Sequence, residues 1–155
     1  MSRAVLISIR PKWCEKIADG EKTIEVRKTR PKLETPFRCY IYRTKGIVPH
    51  IINGKWVKIE VGGTVVGEFV CDKIYELAPL NHAPDDVEQM ACLTREEIVQ
   101  YLRGVGYGWH ISNLRIYDHP RDLWEFTVLR KTKYGLAPVP ITRPPQSWKY
   151  VEELK

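Results

Sequence analysis

The segment that most constrains the fold is a short apolar run near the N-terminus, residues 4–9. It lacks the alternation of polar and apolar side chains that marks a strand with one solvated face. The run therefore predicts a strand that is covered on both faces. Pro11 follows and suits the first position of a helix, and Gly20 suits the left-handed residue that ends one. We expect a buried strand, a short helix and a glycine turn.

The charged run Gly20–Lys28 follows that turn and carries the most concentrated chemistry of the chain. It predicts a second strand over residues 22–29. With the two-residue period of a strand, Glu25 and Arg27 share one face and Lys22 lies on the other. A shared role for Lys22 and Glu25 therefore requires an irregular strand start. The run indicates an anion-binding or acid–base surface.

The rest of the chain reads as mainly β structure. Asn53-Gly54, between two β-rich runs, is the strongest hairpin signal, and a capping box at 94–97 predicts a helix that ends near Leu102. An acidic loop or a short helix is expected over residues 81–91. The alternation at 37–43 predicts a half-buried strand with one aromatic, polar face that carries Tyr40 and Tyr42. Further strands are predicted at 64–77, 109–111, 114–117 and 124–129, with a loop at 119–122 and a C-terminal segment, 141–151, that returns to the sheet.

Composition and length narrow the class of protein. A chain of 155 residues is expected to form one domain, residues 1–155, without disulfides or structural metals. The four cysteines form no Cys-x-x-Cys pair and the four histidines show no ligand spacing, so no metal and no cofactor are expected. With no signal peptide and no membrane-length apolar stretch, a cytoplasmic protein is expected. The formal charge of +6 fits either a polyanionic partner or a merely soluble surface.

Three segments carry a resemblance to a known family. They are residues 6–11 with the helix that follows, the pattern Gly-x-Lys-x-x-Glu-x-Arg at 20–27, and Pro-Pro-Gln-Ser-Trp at 144–148. The chain resembles the ASCH domain, a member of the PUA-like superfamily, most strongly over residues 4–45 and 109–151. The resemblance implies an α+β fold built on a small mixed β-barrel with helices packed outside. A long hairpin insertion is expected around 44–63.

The resemblance also implies a cleft near the barrel mouth that binds RNA, single-stranded nucleic acid or a nucleotide. The candidate ligand-binding residues of this sequence are Lys22, Glu25, Arg27, Lys28, Tyr42, Thr44, Ser147 and Trp148. Lys22 suits a phosphate or, with its pKa lowered by burial, a base that acts on a water. Arg27 suits phosphate or a base edge, and Glu25 suits an exocyclic amine, the orientation of Lys22 or a share in the proton transfer. Trp148, like Trp13, is expected to pack in the core, with base stacking as the alternative role.

Catalysis is the second hypothesis, with Lys22, Glu25, Tyr42 and Ser147 as candidate catalytic residues. Some relatives are 4-acetylcytidine amidohydrolases that combine the motif lysine with a threonine three residues later, where this chain has Glu25. Other relatives are reported as ribonucleases that use tyrosine, lysine and serine, for which Tyr42, Lys22 or Lys45, and Ser147 are counterparts. Either activity would be that of a metal-independent hydrolase. A third alternative is a non-catalytic interaction module in which the charged strand is only a solvated face.

Overall fold

The computed structural model describes residues 2–77 and 83–155. Its strands are β1 (Arg3–Ile9), β2 (Ile24–Arg27), β3 (Phe37–Arg43), β4 (Gly46–Ile52), β5 (Lys55–Val61), β6 (Thr64–Glu76), β7 (Tyr107–Arg121), β8 (Thr127–Thr132), β9 (Gly135–Pro140) and β10 (Trp148–Glu152). Its helices are α1 (Pro11–Ala18), α2 (Val87–Ala91) and α3 (Arg95–Leu102). The arrangement is α+β, as the sequence predicts.

Six strands form one curled, half-barrel sheet in the order β10-β1-β3-β6-β7-β2. The sheet is mixed, because β1 and β3 run parallel whereas the other neighbours are antiparallel. In β1 every residue from Ala4 to Ile9 is buried. Alternate side chains enter different clusters, Val5 one that contains Trp109 and Leu6 one that contains Phe126. The expectation of a strand covered on both faces is therefore confirmed.

A third cluster of buried side chains joins β2 to the helices. Ile24 and Val26 pack in it with Val87 and Ala91 of α2 and with Ile98 of α3. The aliphatic face of β2 is thereby fixed against α2 and α3. The other face of the strand, which carries Glu25 and Arg27, is left for the site described below.

The two edge strands of the sheet are joined by side chains. The sheet order begins at β10 and ends at β2, and the guanidinium of Arg27 donates from Nη1 to Oγ of Ser147 at 3.1 Å. Nearby, Trp148 Nε1 donates to Thr29 Oγ1 at 2.9 Å. We call this junction of residues 27–29 with 147–148 the seam. The C-terminal segment does return to the sheet, since β10 pairs with β1.

Two hairpins lie outside the six-stranded sheet, β4–β5 and β8–β9. Asn53 and Gly54 both have positive φ, 52° and 76°, as a two-residue type I′ turn requires. The Asn-Gly prediction of a hairpin is therefore confirmed. The predicted capping box is present as well, with Thr94 and Glu97 bonded reciprocally at the start of α3.

Four predictions of local structure were wrong in their limits. The expected strands at 109–111 and 114–117 and the expected loop at 119–122 belong to one strand, β7, up to Arg121. The polar pair Ser112-Asn113 suggests a break between the two predicted strands. In the structure Asn113 adopts a left-handed φ of 47°, and the strand continues through an irregularity of the ladder. The strand expected at 124–129 is instead a short 3₁₀ turn followed by β8, because Asp122 and Glu125 form a second capping box.

Two further predictions are met in part. The second strand is shorter than residues 22–29, because only Ile24–Arg27 pair with β7. The helix alternative for residues 81–91 is borne out at α2, whereas Asn81 and His82 lie outside the described residues.

Gly62 sets the base of the β4–β5 hairpin and yields a test of the fold. Its φ is 89°, and an added Cβ would lie 1.9 Å from the carbonyl oxygen of Thr44. Gly54 has a similar φ of 76° but open space around it. We expect Gly54→Ala to lower the free energy of unfolding by about 1–2 kcal/mol through left-handed strain alone. Gly62→Ala should cost roughly 3 kcal/mol or more, because the backbone must also move.

The measurement is urea unfolding of both variants beside the wild type. Equal losses in the two variants would contradict the close approach of Gly62 to Thr44.

Candidate functional site

A cleft of about 600 Å³ opens where the end of β1, strand β2 and helix α3 meet. It is lined by Ser8, Arg10, Trp13, Lys22, Glu25, Val26, Arg27, Thr44, Leu93, Glu97, Tyr101 and Gln146. Two smaller clefts, of about 350 and 450 Å³, contain none of the predicted site residues. Four predicted residues therefore line one cavity, namely Lys22, Glu25, Arg27 and Thr44.

Lys22 is held beneath the cleft surface. Its side chain is almost fully buried, its Nζ donates to the carbonyl oxygen of Ala91 at 2.5 Å, and the same atom lies 4.9 Å from the ring centre of Trp13. Burial lowers the pKa of Lys22, and the nearby negative charge of Glu25 offsets part of that effect. The neutral amine of Lys22 is therefore easier to form than that of an exposed lysine.

The strand geometry explains how Lys22 and Glu25 come to share the cavity. Lys22 precedes the β2–β7 ladder, and its backbone N–H donates to Lys16 at the end of α1. Strict alternation therefore does not extend back to Lys22, because β2 begins at Ile24. The irregular strand start that a joint role requires is present.

Glu25 is a buried carboxylate that is only half satisfied. One oxygen, Oε1, accepts from Nε of Arg27 at 3.4 Å. The other oxygen, Oε2, is buried and has no hydrogen-bond partner among the described residues. A buried polar atom without a partner carries a desolvation cost that a bound donor would relieve. Glu25 therefore lines the cleft with a carboxylate whose Oε2 is covered from solvent and has no donor among the described residues.

Arg27 is engaged mainly by the protein itself. Besides Glu25 and the seam contact with Ser147, its Nη2 donates to the carbonyl oxygen of Ser8 at 2.7 Å. The planar fork thus spans three chain segments, which suits the geometry of arginine better than that of lysine. Its role in the site is to position Glu25 and to fix the wall of the cleft.

Two aromatic side chains flank the cleft. Trp13, on α1, is partly buried, and Tyr101, on α3, is 45% exposed. The exposed Lys28 places its Nζ 5.2 Å from the ring centre of Tyr101, so it lies at the rim. The structure thus brings Lys28 close to the cavity, beside an aromatic ring that the sequence interpretation left out.

Three predicted residues lie elsewhere. Tyr42 is 4% exposed and packs in the cluster around Phe126, so the expectation of a half-buried strand with a polar aromatic face is wrong, and Tyr42 does not line the cleft. Both faces of β3 are covered, because Phe126 and Ile141, which flank the β8–β9 hairpin, pack on the face that carries Tyr42. Ser147 and Trp148 belong to the seam, where they support the cleft without lining it.

Sequence reasoning missed several lining residues, among them Arg10, Glu97, Tyr101 and Gln146. Tyr101 left a faint signal, since it is a large exposed aromatic next to the apolar stripe of a predicted helix. Arg10 and Gln146 lie in two of the segments that carry the resemblance, but nothing in the sequence indicates that they meet at the site, because folding alone brings them together. Glu97 is already committed to the cap of α3, where its carboxylate accepts from the backbone of Thr94.

The chemistry available in this cleft is that of charged, acceptor and aromatic groups. Among residues 2–77 and 83–155 no cluster of His, Cys, Asp and Glu has the make-up of a metal site. Over the same residues, no helix is long and apolar enough to span a membrane.

Comparison with solved structures identifies the fold. The crystal structure of an ASCH protein from Zymomonas mobilis has a TM-score of 0.60 at 17% identity, covering 97% of this chain and 88% of that chain. A tyrosine-to-phenylalanine variant of that protein gives 0.60 at 17%, with 97% and 91% covered. A serine-to-alanine variant gives 0.57 at 19%, with 97% and 89% covered. At these identities the likeness shows the PUA-like fold alone.

Sequence comparison identifies the family. No curated protein matches the chain significantly. The sequence model of the ASCH domain, however, matches residues 7–134, which is most of the chain. The chain therefore belongs to the ASCH domain family, a family of PUA-like fold that is generally associated with RNA binding.

Proposed function

We propose that the cleft binds one nucleotide of an RNA or a related single-stranded nucleic acid. The observation that carries the proposal is the unpartnered Oε2 of Glu25, buried in a cavity that also contains Lys22. A carboxylate oxygen left without a donor fits a ligand that brings one. The exocyclic amine of a cytosine or an adenine is such a donor.

The aromatic residues support the same ligand. Trp13 and Tyr101 line the cleft without being fully buried, and each ring has a lysine Nζ over part of it. In this proposal a planar base stacks on the ring surface that the lysines leave exposed. Base stacking on such a ring contributes about 1–3 kcal/mol in single-stranded nucleic-acid complexes. The volume of about 600 Å³ lies within the range of small-molecule sites.

The cations of the site suit a phosphate at its mouth. Arg10 lines the cleft and is exposed, and Lys28 lies at the rim over Tyr101. Lys22 is deeper, so it acts on the base or on the neighbouring carboxylate. This division places hydrogen-bond recognition inside the cavity and phosphate neutralisation outside it.

A substitution of Glu25 tests the binding proposal. In Glu25→Gln the carboxamide keeps the shape of the side chain but loses its charge, and a charged hydrogen bond contributes about 1.5–3 kcal/mol. We expect the affinity for cytidine and adenosine monophosphates to fall about tenfold or more, and the affinity for uridine monophosphate to change less. Calorimetric titration gives both values.

Glu21→Gln is the matched control, since Glu21 is an exposed carboxylate that pairs with Lys16 outside the cleft. Absence of nucleotide binding by the wild type, or equal binding by Glu25→Gln and the wild type, would contradict the proposal.

A metal-independent hydrolase is the second candidate, and the buried ammonium of Lys22 favours it. Burial lowers the pKa of Lys22, which makes its neutral amine easier to form than that of an exposed lysine. The amine would take a proton from a water whose oxygen bonds to the phosphorus of an RNA linkage or to the acyl carbon of a modified nucleoside. Glu25, across the same cavity, would stabilise the ammonium of Lys22, which returns the proton to the leaving oxygen or nitrogen as its bond breaks. Arg27 would keep Glu25 in place.

Incubation without metal tests catalysis directly. Wild type and Lys22→Ala are mixed with short RNAs and acylated nucleosides in the presence of a chelator, and products are read by mass spectrometry. A hydrolase forms product with the wild type and none with Lys22→Ala. Substrates left intact by the wild type would exclude this candidate and leave the binding function.

The pKa of Lys22 has its own test, which does not depend on a ligand. Between the lowered pKa of folded Lys22 and its ordinary value of 10.5, the unfolded chain binds more protons than the folded one. The burial cost is therefore fully present below this interval and is relieved as the pH rises through it. We expect the free energy of unfolding of the wild type, relative to Lys22→Met, to increase over that interval.

Urea unfolding from pH 7 to 10.5 measures this difference. Lys16→Met is the control, because Lys16 is exposed and its pKa is raised by Glu21, so no such increase is expected below pH 10.5. A flat difference for Lys22 would show that its folded pKa is not lowered.

A further inference from the structure

The net positive charge of the chain is concentrated in the two hairpins outside the sheet. We call residues 45–61 the first arm and residues 127–140 the second arm. The first arm carries Lys45, Lys55, Lys58 and one carboxylate, Glu60, and the second carries Arg130, Lys131 and Lys133 without an acid. Six cations and one carboxylate give +5 of the formal +6 of the chain, which leaves +1 for everything else.

The arms also expose aromatic rings. Trp56 on the first arm is 72% exposed and Tyr134 on the second is 88% exposed, the highest values for aromatic residues in the described part of the chain. Neither ring takes part in the three core clusters. Large rings that stabilise no core, on segments that carry the excess charge, mark a surface for a partner.

Both arms are connected directly to the cleft. Thr44 lines the cleft and is the residue before the first arm, and its backbone N–H donates to Ile9 at the end of β1 at 2.9 Å. Gln146 also lines the cleft, six residues after the second arm ends. The sheet register agrees, because Val65 pairs with Tyr42 on one side and with Arg121 on the other. The two arms therefore leave from the same end of the neighbouring strands β3, β6 and β7.

We propose that the arms bind a single-stranded nucleic acid on either side of a nucleotide that occupies the cleft. The proposal rests on the proposed nucleotide-binding function of the cleft. It adds that the arms hold the neighbouring nucleotides of the same strand, by lysine contacts to their phosphates and by stacking of their bases on Trp56 and Tyr134.

The geometry of each arm places a cation beside its ring. In the first arm, Trp56 and Lys58 are two residues apart on one strand, so they lie on the same face of the hairpin. In the second arm, the Nζ of Lys133 lies 5.0 Å from the ring centre of Tyr134. A base on the ring therefore has a cation within reach of its phosphate.

Charge favours a polyanion over the alternative occupants of this surface. Two copies of the chain would bring arms of the same sign together, which opposes self-association through them. A protein partner would need an acidic face to match both hairpins. A nucleic-acid strand provides regularly spaced negative charge and planar bases together, which is the combination that the arms complement.

The experiment measures binding of a fluorescent 12-nucleotide RNA, its DNA counterpart and cytidine monophosphate at several salt concentrations. The arm variant carries Lys55→Gln, Lys58→Gln and Lys133→Gln. Its matched control carries Lys32→Gln, Lys73→Gln and Lys155→Gln, three exposed lysines outside the arms. Loss of three phosphate contacts should reduce the slope of log affinity against log salt by about 2 and weaken 12-mer binding at least tenfold. The control variant should match the wild type, and cytidine monophosphate should bind all three proteins equally.

Trp56 provides a test independent of charge. Trp56→Ala should weaken 12-mer binding at least fivefold through lost stacking, whereas Trp56→Phe should retain most of the affinity. Unchanged 12-mer binding in the arm variant, or an equal loss in the arm and control variants, would overturn the proposal. So would dimerisation through the arms in a protein that binds neither 12-mer. Arm-dependent 12-mer binding without cytidine monophosphate binding would support the arms and contradict the function of the cleft.

Discussion

The hydrogen bonds of one guanidinium determine the shape of the site. Arg27 lies on an edge strand, donates to Ser8 on β1 and to Ser147 before the opposite edge strand, and holds Glu25 in the cleft. The sheet is therefore closed by side chains at the place where the cavity opens. Removal of one member of a buried ion pair costs about 3–5 kcal/mol, so the seam and the site depend on the same residue.

The position of Arg27 changes the interpretation of the charged strand. Glu25 and Arg27 look equivalent in the sequence, as two charges on one face, but the structure gives them different tasks. Arg27 donates hydrogen bonds to other parts of the protein, whereas Glu25 has one buried oxygen without a partner among the described residues. Lys22 reaches the same cavity because it precedes the regular part of β2. Under the proposed function, recognition falls to Glu25 and Lys22, and Arg27 holds Glu25 in place.

The sequence predicted what local chemistry determines. The doubly buried first strand, the Asn53-Gly54 hairpin and the capping box of α3 follow from patterns within a few residues, and the resemblance led to the ASCH family and its PUA-like fold. Residues that meet only through folding were out of reach, as with Arg10 and Gln146. The alternation in β3 indicated one buried face and one polar face, and it put Tyr42 on the polar face. Alternation alone does not reveal that other parts of the chain cover the second face as well.

The proposed function requires that a nucleotide enters the cleft beside Trp13. The indole N–H resonance of each tryptophan tests this in a ¹⁵N-labelled protein, assigned by single Trp→Phe variants and followed during titration with cytidine monophosphate. We expect a saturable shift at Trp13 and none at Trp56 or at Trp124, which are exposed but do not line the cleft. Saturable shifts at Trp56 or Trp124 with Trp13 unmoved would contradict the proposed function.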